Sequence, residues 1–385
     1  MRIAFFADSF RTDLGGLTRA VIQLHDALVD RGLAVRVFAL PQTRGPLHPG
    51  DVQMVTAFPL SGFPGFPPDS LLAWGYHRIR KQLSEWKPDV VHLHTPLPTS
   101  WLGLAAARSL GIPAVATYHA NLRAAGVAVG GGKLFDSIVC ALGRRFYNQC
   151  GMVIAPSDFA RRQLRALGVR RPIAVISNGI DLQRFSPPTY RPGLVHMPPE
   201  PVTALYAGRL SREKGMAALE KTLCLAMRTE PRIRVRVAGD GPGAAALHRA
   251  LAAHVADDRV SMLGHIPWER MPFEYQRADL LFFPSPNETQ GLAALEAMAT
   301  GLPVIAARAG ALPELINHLE NGLLIDPYDT AGMAQAIVGL ARSPFLRARL
   351  GECGRTAVRQ HDIRMTAQRI IMMYHRLRSG GDPAA

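Results

Sequence analysis

The sequence predicts an α/β protein of two domains, each built on a parallel β-sheet. Short apolar stretches typical of strands alternate with helix-like stretches from one end of the chain to the other. Strands separated by helices of this length are typical of parallel β-α-β units. At 385 residues the chain is long enough for two domains, each with its own core. We therefore expect two Rossmann-like domains that face each other across a cleft.

The first half of the chain contains the strands of the first predicted domain, residues 1–185. They are expected at 3–7, 34–40, 90–94, 114–118, 152–155 and 173–176. Residues 18–31 place Val21, Leu24, Leu28 and Val29 on one face and are followed by Gly32, which predicts an amphipathic helix between the first two strands.

The second half repeats this alternation over residues 202–360, the second predicted domain. Its strands are expected at 204–207, 235–238, 260–263, 280–283, 304–306 and 323–325. Residues 186–201 are the densest proline stretch of the chain and are interpreted as the linker. A last helix is expected within 361–378.

Composition and charge limit the class of protein. An apolar content of 48% fits a globular protein, and no apolar run approaches the ~18 residues of a spanning helix. The apolar stretch at the N-terminus is too short for a signal peptide, and the four cysteines show no CxxC spacing. We therefore expect a cytoplasmic protein without a disulfide framework or a zinc site.

The formal net charge is +14, with basic clusters at 77–81, 161–171 and 341–378. Basic surface attracts nucleic acid, anionic lipid or an anionic substrate without distinguishing between them. The alternative is an arginine-rich surface that is simply solvated.

Two glutamates, Glu288 and Glu296, stand eight positions apart just after the strand-like stretch 280–283. The segment is interpreted as a loop that opens into a helix, where backbone N–H groups and the helix dipole favour an anion. At the helical rise per residue the carboxylates would lie ~12 Å apart along the axis. That spacing suits a ligand with hydroxyl groups on both sides of a diphosphate, such as a nucleotide-sugar. The alternative is that Glu296 is an ordinary residue of a good helix-forming stretch.

The other loops of interest also follow predicted strands, because ligands of open parallel sheets bind beyond the carboxyl ends of the strands. Gly15 and Gly16 precede the first helix and permit close approach to a phosphate, although the GxGxxG fingerprint of dinucleotide-binding proteins is absent. Arg209 and Lys214 follow the first strand of the second half and are suited to converge on a diphosphate. Both are alternatively surface charges at a helix start, where cations are unexpected without an anion.

Three further patterns have competing interpretations. Residues 239–243 contain three glycines after a strand, which indicates a structural turn more than a phosphate loop. His92 and His94 alternate on one predicted strand, and packing within the sheet is favoured over a metal site. His119 ends another strand, where a cleft would form. The sequence has no Asp-x-Asp, so a mechanism without a metal ion is favoured.

In these residues and their spacing, the chain resembles the retaining glycosyltransferases of family 4, which have the GT-B fold. The resemblance extends from residue 1 to about residue 374. Its most specific part is the E-x7-E segment formed by Glu288 and Glu296, with Gly-Leu-Pro-Val at 301–304 behind it. The Gly15–Gly16 pair and the segments 177–181 and 208–215 support it and occur in the family order.

The resemblance implies a role for each matching residue. Gly16 would offer its N–H to the distal phosphate, while Arg209 and Lys214 would neutralise the leaving diphosphate. Glu288 would bind the sugar hydroxyls and His119 would lie beside the anomeric centre. The catalytic set would be His119, Glu288, Arg209 and Lys214. The donor-binding set would be Gly15, Gly16, Gly264, His265, Ile266, Thr289, Gln290, Gly291, Leu292 and Glu296, with 264–266 on the base and Glu296 on the ribose.

The resemblance further implies transfer of a hexose from a UDP- or GDP-sugar with retained configuration and no cofactor or metal. The branch that it resembles most glycosylates diacylglycerol and related membrane lipids. A glycine-rich stretch at 124–132 leads into Phe135, Ile138, Val139 and Leu142, with Arg144–Arg145 behind, which suits contact with an anionic membrane surface or a mobile acceptor loop before a packed helix.

The partners expected are therefore a nucleotide-sugar, a lipid or carbohydrate acceptor and the inner face of the cytoplasmic membrane, with no nucleic acid. A soluble or polysaccharide acceptor is the alternative. A non-catalytic basic protein that binds nucleic acid or anionic surfaces is a more distant one, because it leaves the glutamate pair unexplained.

Overall fold

The computed structural model describes residues 1–10, 15–41, 48–59, 71–119, 132–188 and 200–379. The chain forms two compact units, Met1–Gly179 with Ile363–Ala385, and Ile180–Asp362. We call them the N-terminal and the C-terminal domain. The structural division after Gly179 comes a few residues before the boundary predicted at 185. Most of the predicted linker 186–201 and of the glycine-rich stretch 124–132 lies outside the described residues.

The N-terminal domain is built on a seven-stranded parallel sheet with the order β3-β2-β1-β6-β7-β8-β9. The order reverses between β1 and β6, which are direct neighbours. A separate antiparallel pair joins β4 to β5. The strands are β1 Arg2–Phe6, β2 Ala34–Ala39, β3 Asp51–Met54, β4 Ala57–Pro59, β5 Leu71–Ala73, β6 Val90–Leu93, β7 Ala114–Thr117, β8 Met152–Ala155 and β9 Ile173–Val175.

Helices connect the strands of this sheet. They are Gly16–Val29, Tyr76–Trp86, Pro98–Ser109, Gly132–Gln149, Asp158–Ala166 and Ile363–Arg378. The first begins two residues before its predicted start, and its buried face includes Val21, Leu24 and Leu28. Val29 was assigned to this face from the sequence, and that assignment is wrong: Val29 is 44% exposed, because it is the last helical residue before the turn at Gly32.

The last helix, Ile363–Arg378, belongs to the N-terminal domain. Ile370, Met373 and Tyr374 are buried in the same apolar cluster as Val21 and Leu28 of the first helix. The two ends of the chain therefore share one core.

The C-terminal domain is built on a six-stranded parallel sheet with the order β12-β11-β10-β13-β14-β15. This is the doubly wound arrangement in which the order reverses between the first strand and the fourth. The strands are β10 Val202–Ala207, β11 Ile233–Ala238, β12 Val260–Gly264, β13 Leu280–Phe283, β14 Val304–Ala307 and β15 Leu323–Ile325.

The helices of this domain cover both faces of the sheet. They are Met216–Thr229, Ala244–Ala250, Ala252–Ala256, Met271–Gln276, Leu292–Ala299, Leu312–Leu315, Thr330–Arg342 and Pro344–Ala357, with short 3-10 turns at Arg212–Lys214, Trp268–Arg270 and Val358–His361. The strands β13 and β14 are completely buried, as expected for parallel strands covered on both faces.

The predicted fold class of two Rossmann-like parallel-sheet domains is confirmed. All twelve predicted strands are present within one or two residues of their predicted ends. The strands β3, β4 and β5 were not predicted. Within the described ranges, none of the helices combines the length and the apolar character needed to cross a lipid bilayer.

Candidate active site

Two loops of the C-terminal domain follow neighbouring strands, β10 and β13. These strands pair at the point where the strand order reverses, which is where open parallel sheets bind ligands. Gly215 allows the loops to touch: its φ is +81°, and a Cβ there would lie 2.4 Å from the carbonyl oxygen of Pro284. A side chain at this position would separate the two loops.

An ion pair joins the loops. Nζ of Lys214 donates a hydrogen bond to Oε1 of Glu288 at 2.8 Å, and the two side chains are 27% and 11% exposed. The backbone of Glu288 is held as well, because the amide of Ala311 donates to its carbonyl oxygen at 3.0 Å. The structure therefore fixes a carboxylate suited to sugar hydroxyls beside a cation suited to phosphate oxygens.

Arg209 lies in the same loop as Lys214 but points outward. Its side chain is 69% exposed, and Nη1 lies 4.0 Å from Oε1 of Glu213. The hydroxyl of Tyr206 donates to the carbonyl oxygen of Arg209 at 2.9 Å, which fixes the loop backbone. Lys214 is the cation that the structure brings to Glu288, while the predicted role of Arg209 on the diphosphate stays a prediction.

The helix Leu292–Ala299 begins directly after this loop. Its N-cap residue, Gly291, has φ +94°, and a Cβ there would lie 2.7 Å from Cδ2 of Leu312. The first N–H groups of a helix lack the usual partner four residues earlier; here the amides of Ala294 and Leu295 donate to the carbonyl oxygen of Gly291 at 3.0 and 3.1 Å. Gln290 is 2% exposed, so the loop enters the helix in a packed conformation. The donor-binding roles of Thr289, Gln290, Gly291 and Leu292 stay predictions.

The two glutamates are not both on the helix, so the spacing predicted from helical rise has no basis. Glu288 lies in the loop, four positions before the helix starts at Leu292, and Glu296 is on the second half of the helix. The left-handed backbone of Gly291 ends the extended loop and turns the chain into the helix. A separation of ~12 Å along a helix axis therefore does not apply, because a single turn of helix, not two, separates the helix start from Glu296.

Glu296 is buried, at 2% exposure. The hydroxyl of Tyr275 donates to its Oε2 at 2.7 Å. A buried carboxylate needs such donors, so this contact fixes the orientation of Glu296. Tyr275 was missed because it lies in a different helix, Met271–Gln276, and nothing in its local sequence points to Glu296.

Two further loops lie at the same edge of the sheet. Gly264 ends β12 with φ +65° and accepts a hydrogen bond from the amide of Gly239 at 2.8 Å. His265 is exposed and Ile266 is half-buried. A Cβ on Gly241 would lie 2.5 Å from the carbonyl oxygen of Leu210, so the turn interpretation of 239–243 is confirmed.

In the N-terminal domain, the corresponding edge lies after β1 and β6. Gly15 is the N-cap of the helix Gly16–Val29, and both glycines are exposed. Among the residues that the structure describes, nothing lies within 4 Å of a Cβ built on Gly15. The loop residues 11–14 lie outside the described residues.

A buried contact that the sequence did not reveal joins the ends of β1 and β6. The hydroxyl of Thr95 donates a short hydrogen bond to Asp8. Burial raises the pKa of the Asp8 carboxyl, and the hydrogen bond from Thr95 only partly opposes this effect. The two residues are distant in sequence, and only the pairing of β1 with β6 brings them together.

Three histidines form a row behind this edge. His92 and His94 of the β6 region stack at a centroid distance of 4.2 Å, and Nδ1 of His94 lies 3.2 Å from Nε2 of His119. His92 contacts the hydroxyl of Tyr374 through Nδ1 at 2.5 Å and Oγ1 of Thr117 through Nε2 at 2.7 Å. The prediction that His92 and His94 pack within the sheet is confirmed, since both are at most 1% exposed.

Burial also sets the charge of these rings. It lowers the pKa of His92 to about 3 and that of His119 to about 4. The pKa of His94 is likewise held well below its ordinary value by burial. All three imidazoles are therefore neutral at pH 7 and act as hydrogen-bond donors or acceptors, not as cations.

One cluster within the described residues has the composition of a metal site. The ligand atoms of His25, Asp26 and His48 all lie within 4.8 Å of one another. Asp26 Oδ1 is 2.8 Å from Nδ1 of His25 and 2.7 Å from Nε2 of His48. These distances are those of two hydrogen bonds to one carboxylate oxygen, so the cluster is explained without an ion. It is separate from the loops described above.

Comparison with known proteins agrees with this geometry. Residues 14–184 match the family model described as Glycosyltransferase Family 4, and residues 195–357 match the model described as Glycosyl transferases group 1. A D-inositol 3-phosphate glycosyltransferase of Xylanimonas cellulosilytica is 31% identical over 378 residues, which cover 90% of this chain and 88% of the relative. The chain belongs to glycosyltransferase family 4.

A second relative of this family 4 glycosyltransferase is the alpha-monoglucosyldiacylglycerol synthase of Streptococcus pneumoniae. It is 28% identical, with 86% of this chain and 77% of the relative covered. Two solved structures share the fold. Sucrose-phosphate synthase of Thermosynechococcus elongatus superposes with a TM-score of 0.80 at 22% identity, covering 99% and 100% of the chains. Anabaena HepE in complex with UDP-glucose has a TM-score of 0.75 at 22% identity, covering 97% and 99%.

Family membership establishes that the chain is a glycosyltransferase of the GT-B architecture that uses a nucleotide-sugar. The segment with Glu288 and Glu296 lies within the second matched region and Gly15–Gly16 within the first.

Proposed function

We propose that this enzyme transfers a hexose from a UDP- or GDP-sugar to a membrane lipid such as diacylglycerol, with retained anomeric configuration and without a metal ion. The observation that carries the donor chemistry is the ion pair of Lys214 and Glu288 at the strand-order reversal of the C-terminal domain. It places a sugar-binding carboxylate and a phosphate-binding cation in contact. The proposed location is the cytoplasm, with reversible attachment to the inner face of the membrane.

Each residue of the site acts on the charge that develops during the reaction. Cleavage of the bond from sugar to phosphate leaves negative charge on the diphosphate, which Lys214 and Arg209 neutralise. The N–H groups of Gly291 and Leu292 supply donors at the helix start, and preorganised donors of this kind are the largest available stabilisation. Glu288 holds the sugar hydroxyls, and Glu296 holds the ribose hydroxyls from its fixed orientation against Tyr275.

The anomeric configuration is retained because the acceptor attacks the same face of the sugar from which the diphosphate leaves. In this front-face route the leaving phosphate takes the proton of the acceptor hydroxyl, so no protein nucleophile is needed. Absence of Asp-x-Asp from the sequence supports a route in which Lys214, Arg209 and N–H groups stabilise the leaving group without a metal ion.

The lipid acceptor is supported by an exposed apolar surface on the helix Gly132–Gln149. Ile138 and Leu142 lie one helical turn apart and are 49% and 51% exposed. Arg144 and Arg145 follow them on the same helix and are exposed. Apolar side chains beside cations suit an anionic lipid surface. A relative whose name describes a glucosyldiacylglycerol synthase supports the same choice.

A soluble acceptor is the second candidate, because the relative with 31% identity is named for D-inositol 3-phosphate. It requires the same donor chemistry but no membrane contact. The exposed pair Ile138 and Leu142 would then have no part in the reaction, which distinguishes the two candidates experimentally.

The donor is tested by hydrolysis and transfer assays with a panel of UDP- and GDP-sugars, with and without EDTA. Turnover that survives EDTA and that Glu288→Gln lowers by at least 10²-fold supports the site, because Glu288 would act in the transition state. Glu269→Gln, an exposed glutamate of the same domain, is the matched control. Isolation of a covalent glycosyl-enzyme at Glu288 would contradict the front-face route.

The acceptor is tested by co-sedimentation with anionic and neutral liposomes. We expect binding to anionic vesicles that weakens when Ile138 and Leu142 are both changed to serine. The control changes Val29 and Met372 to serine, which are exposed apolar residues of the same domain at 44% and 52%. Equal loss in both double variants, or no sedimentation with either vesicle, favours the soluble acceptor.

A further inference from the structure

The histidine row of the N-terminal domain contains one ring nitrogen, Nε2 of His94, whose surroundings determine which nitrogens of His94 and His119 carry a proton. His94 is 1% exposed, and its Nδ1 faces Nε2 of His119 at 3.2 Å. Its other ring nitrogen, Nε2, is buried and has no hydrogen-bond partner among the residues that the structure describes. Within the described part of the chain, the ring of His94 therefore has a single polar contact, and it is to His119.

Neutral imidazole carries one proton on one of its two nitrogens. If the proton of His94 were on Nε2, a buried N–H donor would be left without an acceptor, which is rare and costly in folded proteins. If it is on Nδ1, His94 donates to His119 and leaves only a bare lone pair at Nε2. The second arrangement is the one that the burial of His94 favours.

The state of His119 follows from that of His94. Since Nε2 of His119 accepts a hydrogen bond from His94, it carries no proton, and the proton of a neutral His119 is on Nδ1. We propose that His94 is a positioning residue that holds His119 as the Nδ1–H tautomer. The inference rests on the proposed role of His119 beside the anomeric centre.

The position of His94 itself is fixed from two sides. It stacks on His92 with an interplanar angle of 26°, and the edge of Phe5 contacts it at a centroid distance of 4.6 Å. His92 cannot rotate freely, because Tyr374 and Thr117 hold its two nitrogens. A ring that two aromatic neighbours hold in place can impose both an orientation and a tautomer on its hydrogen-bond partner.

The tautomer is measured directly in the full-length protein by imidazole 15N NMR, with the signals of His119 assigned from the His119→Gln variant. We expect wild-type His119 to be protonated at Nδ1. In His94→Phe, which keeps a ring but removes the donor, His119 should lose this preference. In His94→Asn, whose side-chain amide replaces the Nδ1 donor, the Nδ1–H form should return.

Activity gives a second readout. We expect His94→Phe to lower kcat/KM for the donor about tenfold, as for loss of one hydrogen bond in the transition state, and His94→Asn to restore most of it. The control is His248→Phe, at an exposed histidine of the C-terminal domain, which should leave the tautomer of His119 unchanged.

A wild-type His119 protonated at Nε2 overturns the proposal, even if no variant folds. So does a tautomer that His94→Phe leaves unchanged. An enzyme with the expected tautomer but no turnover with any nucleotide-sugar would contradict the proposed function and leave the positioning role of His94 supported.

Discussion

Lys214 and Glu288 form an ion pair at 2.8 Å. A bound diphosphate would bring new negative charge to the same ammonium group, while sugar hydroxyls would donate to the carboxylate. Each charge therefore has a partner before and after binding, which avoids leaving a half-buried charge unpaired. The carboxylate of Glu288 therefore supplies the negative charge that favours a cation at this helix start.

Replacement of Lys214 by methionine should lower kcat/KM for the nucleotide-sugar by roughly 10²–10³-fold, because one donor to the leaving diphosphate is lost. The kcat/KM of Lys214→Arg should lie between those of the wild type and Lys214→Met, since arginine keeps the charge but not the geometry of the lysine. Steady-state kinetics of donor hydrolysis measure the effect. The control is Lys221→Met, an exposed lysine of the next helix, and an equal loss there would refute the role of Lys214.

Tyr275→Phe tests whether the orientation of Glu296 matters for the nucleotide. The variant keeps the ring but removes the hydrogen bond of 2.7 Å to a buried carboxylate, which should destabilise the protein by about 1–3 kcal/mol. We also expect weaker binding of UDP or GDP by isothermal titration calorimetry. Tyr328→Phe, on a side chain that is 90% exposed, should change neither quantity.

Among the elements, two helices of the C-terminal domain are joined by one carboxylate. Glu230 follows the helix Met216–Thr229 and is 6% exposed. Its oxygens lie 3.0 Å from Nε of Arg232 and 2.9 Å from Nε of Arg342, the last residue of the helix Thr330–Arg342. Hydrogen bonds from Arg232, followed by those from Arg342, lower the pKa of Glu230 from 4.5 to about 2.

This shift gives stability a defined pH dependence. Because the pKa of Glu230 is lower in the folded state, its contribution to the free energy of unfolding is complete above pH 4.5. This contribution disappears as the pH falls toward about 2. The difference in unfolding free energy between wild type and Glu230→Gln should therefore shrink across that window. Urea titrations at several pH values measure it. A difference that stays constant, or that the exposed control Glu269→Gln reproduces, would show that the ion pairs contribute nothing specific.

The sequence predicted the central strands well because they are buried on both faces and so are continuously apolar, as in β13 with Leu-Leu-Phe-Phe. It failed for β3, an edge strand that carries Asp51 and Gln53 and pairs on one side only. The glutamate segment shows the same limit. The motif identified the site, but the course of the loop is set by Gly310 and Ala311, which contact Glu288 from a distant part of the chain.

At the scale of the whole molecule, the N-terminal domain is discontinuous in sequence. Its core contains the helix Ile363–Arg378, although the entire C-terminal domain precedes that helix in the chain. The chain leaves the N-terminal domain after Gly179 and returns to it at Ile363. The φ of Gly179 is +79°, and a Cβ there would lie 2.7 Å from Cδ1 of Ile363. The integrity of the first domain therefore depends on the last residues of the second half of the sequence.

Deletion of residues 363–385 should consequently destabilise the N-terminal domain and not the domain that directly precedes the cut. The deletion exposes apolar surface that Ile370, Met373 and Tyr374 now cover, at roughly 1.5–3 kcal/mol for each large side chain. Hydrogen exchange followed by mass spectrometry should show lost protection in β1 and β6, while β10 and β13 stay protected. A chain cut after Ser379 keeps the helix and is the control. Greater loss of protection in β10 and β13 would show that the last helix stabilises the C-terminal domain instead.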